Sequence, residues 1–411
     1  MWTRRSFLRT TGVVGSSALA WTRVPALEAV LHASQAVAGQ SPGDAATNES
    51  YWGQIQRAFA LDRTLINLNT GHHCSQPTVV LDAVKRYLDM ENLAPVYYAG
   101  LINRNQETVR RELAMEFGCD TEEMAITRNA SESLQILQNG LDLSAGDEVI
   151  TTEQDYPRML TTWDQRMRRD KIKVTRLQFP VPTTADVLYG LFEKALTPRT
   201  KVLHFCHITN LTGQLFPVQR ICRMARARGI TTIVDGAHAG AQFPFKLHDL
   251  ECDAYGVSLH KWLLAPFGTG ILFVRRNEIA KFWPLQAAPA KSDTDIRKFE
   301  EIGTAPAAPR IKMYSSLQPG ETWGLATVGI EGMEASAISS FLWDKYRIIV
   351  AALARSEMPG QQFDYQGVRV TPNVYTTIDE VDTFARAMEE LARMPAGKIP
   401  APTAPPPGNE L

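Results

Sequence analysis

The sequence predicts an α/β protein: a large, mostly parallel sheet domain flanked by helices, followed by a small, shortened C-terminal α+β domain. Three observations point there. From Met124 to Val234 short apolar runs alternate with amphipathic stretches, the pattern of strands joined by crossover helices. At 411 residues the chain is long enough for more than one core. Beyond Gly303 the texture changes: a hinge-like stretch at 306–309 precedes one short strand and one amphipathic helix.

The chain opens with a segment that reads as an address rather than as fold. Thr3-Arg4-Arg5-Ser6-Phe7-Leu8-Arg9 resembles a twin-arginine export motif, and a weakly apolar, Gly/Ser-containing run follows it over 10–21. That run is too short to span a bilayer. Ala36-Val37-Ala38 has the small-x-small form of a cleavage site. Residues 1–38 are therefore expected to be a signal peptide, with the twin-arginine machinery as a partner and a periplasmic or otherwise exported destination. Substrates of that route travel folded, so a cofactor can be loaded before export. Residues 39–50, polar and small, are expected to form a mobile linker.

The large domain is expected over 51–303. Residues 79–90 and 106–117 have helical apolar spacing. Strands are expected at 124–127, 148–151, 174–179, 201–208 and 231–234, with helices starting at Ser131 and spanning 217–228, where Gly229 ends the second. The small domain, 304–394, holds a strand over 370–377 and a helix over 379–394 with Val381, Phe384, Met388 and Leu391 on one face. Residues 395–411 are a Pro/Ala-rich, disordered tail.

Composition narrows the function. Hydrophobic residues at 44% and charged residues at 21% suit a globular enzyme, and a formal net charge of −1 leaves no basic footprint for nucleic acid. Five cysteines without a CxxC motif support neither a disulfide framework nor a zinc site. His72-His73-Cys74 is one short cluster and is not expected to bind metal.

Two motifs carry chemistry: Val234-Asp235-Gly236-Ala237-His238 and Ser258-Leu259-His260-Lys261-Trp262. Together they read as a site for pyridoxal 5'-phosphate. Lys261 would carry the cofactor covalently, since a lysine amine becomes nucleophilic where its neutral form is favoured. Asp235 would hold the ring nitrogen protonated, because a cationic ring is an electron sink only beside a carboxylate. Each residue alone has an ordinary structural reading; their conjunction and order carry the assignment.

The stretch from Leu68 to Met394 resembles the class V aminotransferase family of pyridoxal-phosphate enzymes, most closely its isopenicillin N epimerase-like branch, with cysteine desulfurases as more distant relatives. The resemblance implies fold type I, a homodimer and a small-molecule amino-group substrate. It assigns Lys261 and Asp235 the roles above and places His238 near the cofactor's phenolic oxygen, with Asn210 nearby. It assigns Ser258, His260 and the loop Asn129-Ala130-Ser131 to the phosphate, where amides at a helix start favour an anion. Tyr156 would stack on the ring, Thr304 would reach the phosphate of the other subunit, and Arg369 would clamp a substrate carboxylate. Catalysis would rest on Lys261, Asp235, Tyr156 and His238.

The chain departs from the family twice. No cysteine follows Cys252, against the C-terminal nucleophile of a desulfurase. And Thr327-Val328-Gly329-Ile330 leads almost directly to 339–346, so part of the small domain is missing. Transamination, epimerisation, β-lyase chemistry and a catalytically weakened binding protein all remain open readings.

Overall fold

The computed structural model describes residues 25–288, 291–301, 326–330, 333–353 and 366–394. Seven strands form the main sheet: β1 (Met124–Thr127), β2 (Glu148–Thr152), β3 (Lys173–Leu177), β4 (Thr200–Cys206), β5 (Thr231–Asp235), β6 (Ala254–Ser258) and β7 (Gly270–Val274). Their order is β1-β7-β6-β5-β4-β2-β3. The run from β6 to β3 is parallel throughout, and β7 is antiparallel to both neighbours.

Every residue of β2, β6 and β7 is buried, as a sheet covered on both faces requires. Adjacent strand residues feed opposite cores. Leu203, Val234 and Phe273 pack with Phe205 and Ile221 on one face; Val202, Ile233 and Leu272 pack with Ile136 and Trp163 on the other. The expected strands and helices of 124–235 are present. The helix expected from Ser131 starts one residue earlier, at Ala130, because Asn129 caps it by accepting from the Glu132 amide at 2.8 Å.

The C-terminal unit is a three-stranded antiparallel sheet in the order Ala351–Leu353, Gly367–Val370, Ala326–Val328, backed by the helices Ala335–Tyr346 and Ile378–Ala392. The strand expected over 370–377 ends where that reading starts it. Pro372 has no amide to donate, and Asn373 turns the chain by accepting its Val374 neighbour's N–H. This unit also recruits the start of the chain. Ile66–Asn67 pairs in parallel with Ile348–Ile349, and Leu68 is buried with Ile338, Leu342 and Val368. The small core thus extends beyond the 304–394 span expected for it.

The expected linker at 39–50 holds ordered turns. The helix Pro42–Ala46 is capped by Ser41, Asn48 caps Glu49–Gln56, and Trp52 Nε1 donates to the carbonyls of Ala45 and Ala46 at 3.0 Å. Ahead of it, the helix Pro25–Ala36 buries Ala33, and Val37 is buried just beyond. The Ala36-Val37-Ala38 motif therefore sits at the end of a packed helix. The twin-arginine motif, Thr304, the 306–309 hinge and the 395–411 tail lie outside the described residues.

Candidate active site

The chemistry-bearing residues gather at the carboxyl ends of β4, β5 and β6, where parallel α/β sheets place their ligands. Asp235 is the last residue of β5. It is buried and accepts from the Ala237 amide at 2.9 Å. Burial raises its carboxyl to about 6, against that hydrogen bond and the charge of Lys261. The turn after it is sterically exacting: a Cβ on Gly236 would lie 1.8 Å from the ring of Tyr255.

Ser258 ends β6, and Lys261 stands in the following turn. Burial of the amine and the nearby Arg369 guanidinium lower Lys261 to about 8, while Asp235 pulls the other way. His238 lies beside it, with Nε2 at 3.1 Å from Lys261 Nζ. Burial, with Lys261 and Arg369 adding, pushes His238 well below the usual histidine range. A neutral ring that accepts at Nε2 carries its proton on Nδ1, and that buried atom has no partner among the described residues.

The Asn129-Ala130-Ser131 loop meets the lysine turn through Ser258, whose hydroxyl accepts from the Ala130 amide at 2.9 Å. The Asn129 side-chain oxygen is engaged as the helix cap. The Ser131 amide and hydroxyl stand in the first turn of an 11-residue helix, where an anion is favoured. His260 Nδ1 lies 3.3 Å from the Thr269 carbonyl, and its ring stacks at 5.6 Å on His73.

Two segments from outside the sheet close the site. In the N-terminal loop, the Cys74 amide donates to the His260 carbonyl at 3.1 Å. Gly71 is tight against its surroundings: an added Cβ would meet Thr371 Cγ2 at 2.8 Å and His238 Cε1 at 3.3 Å. From the C-terminal unit comes Arg369, 1% exposed. Its Nη1 donates to the Asn210 carbonyl and its Nη2 to Asn69 Oδ1, both at 2.9 Å, while its Nε has no acceptor among the described residues. Part of the fork expected to clamp substrate thus already ties three chain segments together. Among the described residues the buried side-chain oxygen of Asn210 has no partner. Tyr156 is half-buried at the start of the helix Pro157–Asp170.

The structure so brings Lys261, Asp235, His238, Ser258, His260, Asn129, Ala130, Ser131, Tyr156, Asn210 and Arg369 to one end of the sheet. Two further residues matter that the sequence reading passed over. Asn69 holds Arg369. Asp155 accepts from Thr151 and Thr152 with one oxygen and from the Cys206 amide at 2.7 Å with the other, so it pins the Tyr156 loop to the end of β4. The signal for Asp155 was an acid between a strand end and a helix start, in the same motif that drew attention to Tyr156.

The residues fit pyridoxal phosphate. Lys261 offers an amine near its neutral range, Asp235 a carboxylate for the ring nitrogen, His238 and Asn210 buried polar atoms without partners, and Ser131 with Ser258 a helix start for phosphate. Residues 77–307 match the family described as Aminotransferase class-V. The chain is 26% identical over 397 residues to isopenicillin N epimerase of Streptomyces clavuligerus, covering 83% of this chain and 98% of that protein. It is 28% identical over 302 residues to probable cysteine desulfurase 2 of Mycobacterium leprae, covering 68% and 70%. Among solved structures it is similar to the cysteine desulfurase CsdA of Escherichia coli, with a TM-score of 0.69 at 20% identity over 82% of this chain and 98% of that one. The cystine C–S lyase C-DES gives a TM-score of 0.63 at 21% identity over 79% and 97%. As 83% of 411 residues is about 340, against 397 aligned positions, the epimerase alignment passes over positions this chain lacks. The chain belongs to the class-V aminotransferase family of fold type I, and its cofactor is pyridoxal phosphate.

Proposed function

We propose that this enzyme acts at the α-carbon of an amino acid or amino-acid-derived substrate, by transamination or epimerisation. The observation that carries the reading is the convergence of Lys261, Asp235, His238 and Arg369, which puts a proton-moving amine and a carboxylate-binding cation at one site. Bound there, the cofactor supplies a cationic ring that accepts the electron pair left when a bond at the α-carbon breaks. The chain's own residues do the rest. Asp235 holds the ring nitrogen's proton. Lys261 would move the proton at the substrate α-carbon, and its lowered proton affinity suits that exchange near neutral pH. His238 orients the amine, and Arg369 sets which α-carbon bond is presented.

Cysteine desulfurase chemistry finds less support. It needs a thiolate, and thiolates form in exposed, electropositive settings. Cys74, the thiol that borders the site, is 1% exposed, donates to the Thr70 carbonyl at 3.2 Å and accepts from Asn373 Nδ2 at 3.0 Å. Burial pushes it up to about 12.

Product analysis with a panel of amino acids and 2-oxo acids tests the proposal. Keto-acid formation marks transamination, and solvent deuterium entering the α-carbon with loss of chirality marks epimerisation. Pyruvate with released thiol would move a C–S lyase to the front, and no turnover by cofactor-loaded protein would leave a binding role.

Export in folded form, read from Arg4-Arg5 and the run behind it, belongs to the same proposal, as does a homodimer completed by Thr304. Since Ala33 and Val37 are buried, the processed chain should keep the helix Pro25–Ala36, with the cut at Ala18-Leu19-Ala20 rather than after Ala38. Intact mass of the exported protein decides it: a chain starting at Gly39 would refute that site, and a full-length chain confined to the cytoplasm would refute export. Thr304→Ala should weaken cofactor retention, and unchanged retention would count against its role across the dimer.

A further inference from the structure

Behind Asp235, on the other face of the sheet, two polar side chains meet. His207 and Tyr255 share a hydrogen bond of 2.8 Å between the ring Nδ1 and the phenolic oxygen. Both are buried, Tyr255 completely. They come from different strands. His207 follows β4, whose last residue, Cys206, lies level with Asp235 on β5. Tyr255 belongs to β6 and lies level with Val234. The bond therefore crosses the end of β5 at Gly236.

Gly236 is what lets it cross. With no side chain there, the tyrosine ring lies directly on the main chain: a Cβ would stand 1.8 Å from Tyr255 Cε1 and 2.5 Å from its hydroxyl oxygen. Asp235 precedes Gly236, so strand alternation sends its carboxyl to the opposite face. Backbone bonds fix the same turn from both sides. The His207 amide donates to the Asp235 carbonyl at 2.8 Å, and the Gly236 amide donates to the Gly256 carbonyl at 2.9 Å. The ring of Phe245 packs against both members of the pair, 5.2 Å from His207 and 5.8 Å from Tyr255.

An apolar pair of the same shape would serve the core equally well, so stability does not account for the polar groups. What the hydrogen bond adds is one fixed position for the ring on Gly236. Neither partner ionises near neutral pH. Burial lowers His207 to about 3. Burial, with Cys252, Asp235 and Cys206 adding, pushes Tyr255 well above the usual tyrosine range. The clasp stays closed while Asp235, at about 6, and Lys261, at about 8, exchange protons.

We propose that Tyr255 and His207 are positioning residues: their hydrogen bond, laid across Gly236, holds the end of β5 so that the Asp235 carboxylate stays aimed at the cofactor's ring nitrogen. This rests on the reading of Asp235 as that nitrogen's partner and extends the site to the far face of the sheet.

The test loads the protein with pyridoxal 5'-phosphate carrying nitrogen-15 in its ring and reads that resonance by NMR at neutral pH. The wild type should show a protonated nitrogen and Asp235→Asn a neutral one. Tyr255→Phe keeps the ring and removes only the hydroxyl. It should move the resonance part of the way to neutral and weaken cofactor affinity about tenfold, as for a misaligned charge-assisted hydrogen bond. His207→Leu should do the same, and the double variant no more than either alone, since one bond is lost in all three. His207→Gln keeps a partner for the hydroxyl and should recover most of the wild-type signal. Leu203→Ala, a truncation in the same core, should lower thermal stability and leave the resonance in place. An unmoved resonance in Tyr255→Phe and His207→Leu, with stability lost as in Leu203→Ala, would make the pair an ordinary core contact and overturn the proposal. An equal shift in Leu203→Ala would overturn it too. If Asp235→Asn also left the resonance protonated, the role of Asp235 itself would fall, whereas a shift in Asp235→Asn alone would sink only the clasp.

Discussion

The sheet domain and the C-terminal unit solve the problem of positioning in opposite ways. In the sheet domain each reactive group is carried by a ladder: Asp235 ends β5, Ser258 ends β6, and Asp155 is bonded to the last residue of β4. In the C-terminal unit the strands are two to four residues long and draw on both ends of the chain. Its grip on the site rests on a few polar bonds across great sequence separation, such as the Gly71 amide to Thr371 Oγ1 at 2.8 Å, 300 residues apart. The difference teaches where rigidity was needed. Covalent chemistry sits on the ends of the parallel ladder, and substrate recognition hangs on a unit held to the sheet domain by side-chain bonds such as Arg369 Nη1 to the Asn210 carbonyl and Thr327 Oγ1 to the Leu211 carbonyl.

The largest effect should come from the rigid side. Lys261→Ala is expected to lower turnover by about 10³-fold or more, as for loss of a covalent-catalysis amine. Borohydride should fix the cofactor to the Lys261 peptide of the wild type, read by mass spectrometry, and to no peptide of the variant. Substantial turnover by the variant would break the division of labour proposed for the two regions.

Core truncations sharpen the comparison next. Leu68→Ala and Leu203→Ala each remove a fully buried side chain, at about 2–5 kcal/mol. Leu203→Ala should lower the denaturant midpoint for cofactor release. Leu68→Ala should weaken substrate binding first and leave the cofactor band in place until higher denaturant. Coincident losses in both variants would mean that the two regions unfold as one. Arg369→Gln should cost less, about 1–3 kcal/mol, because it strips charge-assisted partners from the Asn210 carbonyl and Asn69. Arg369→Lys should regain charge without the fork, so it should recover part of the substrate affinity and little of the stability.

How legible this was in the sequence follows the same divide. Strands such as Thr231–Asp235, apolar and followed by a catalytic acid, announce themselves locally. The pair β6 and β7 did not stand out, because Gly256 and Gly270 dilute their β signal and the antiparallel insertion of β7 is settled by the sheet. Lys261 and Asp235 were legible because covalent chemistry demands particular residue types in order. Asn69 was not: a neutral amide near the start of the chain acquires its role only when Arg369 is folded against it.

The smallest effect concerns acid, and it separates the two regions cleanly. His204, His207, His238, His72 and His260 all have proton affinities below the ordinary value of 6.5, chiefly through burial, with His204 and His260 at about 4. The unfolded chain therefore binds more protons than the folded one as pH drops below 6.5, and stability must fall from there toward about 4 and be fully present above 6.5. Asp235 runs the other way: raised from 3.8 to about 6, it contributes stability at low pH that is lost as pH rises through about 6. None of the eight histidines lies after His260, so the acid-sensitive groups sit in the sheet domain and its N-terminal loop. Acidification from pH 7 to 5 should then lower the midpoint read at the cofactor band more than the midpoint read from a probe at Trp343 in the C-terminal unit. His204→Asn, which offers an oxygen to Trp163 Nε1 in place of the ring nitrogen 2.9 Å away, should flatten the first curve and leave the second unchanged. Two curves that fall in parallel in both proteins would place the acid response in the contact between the regions instead of in the sheet.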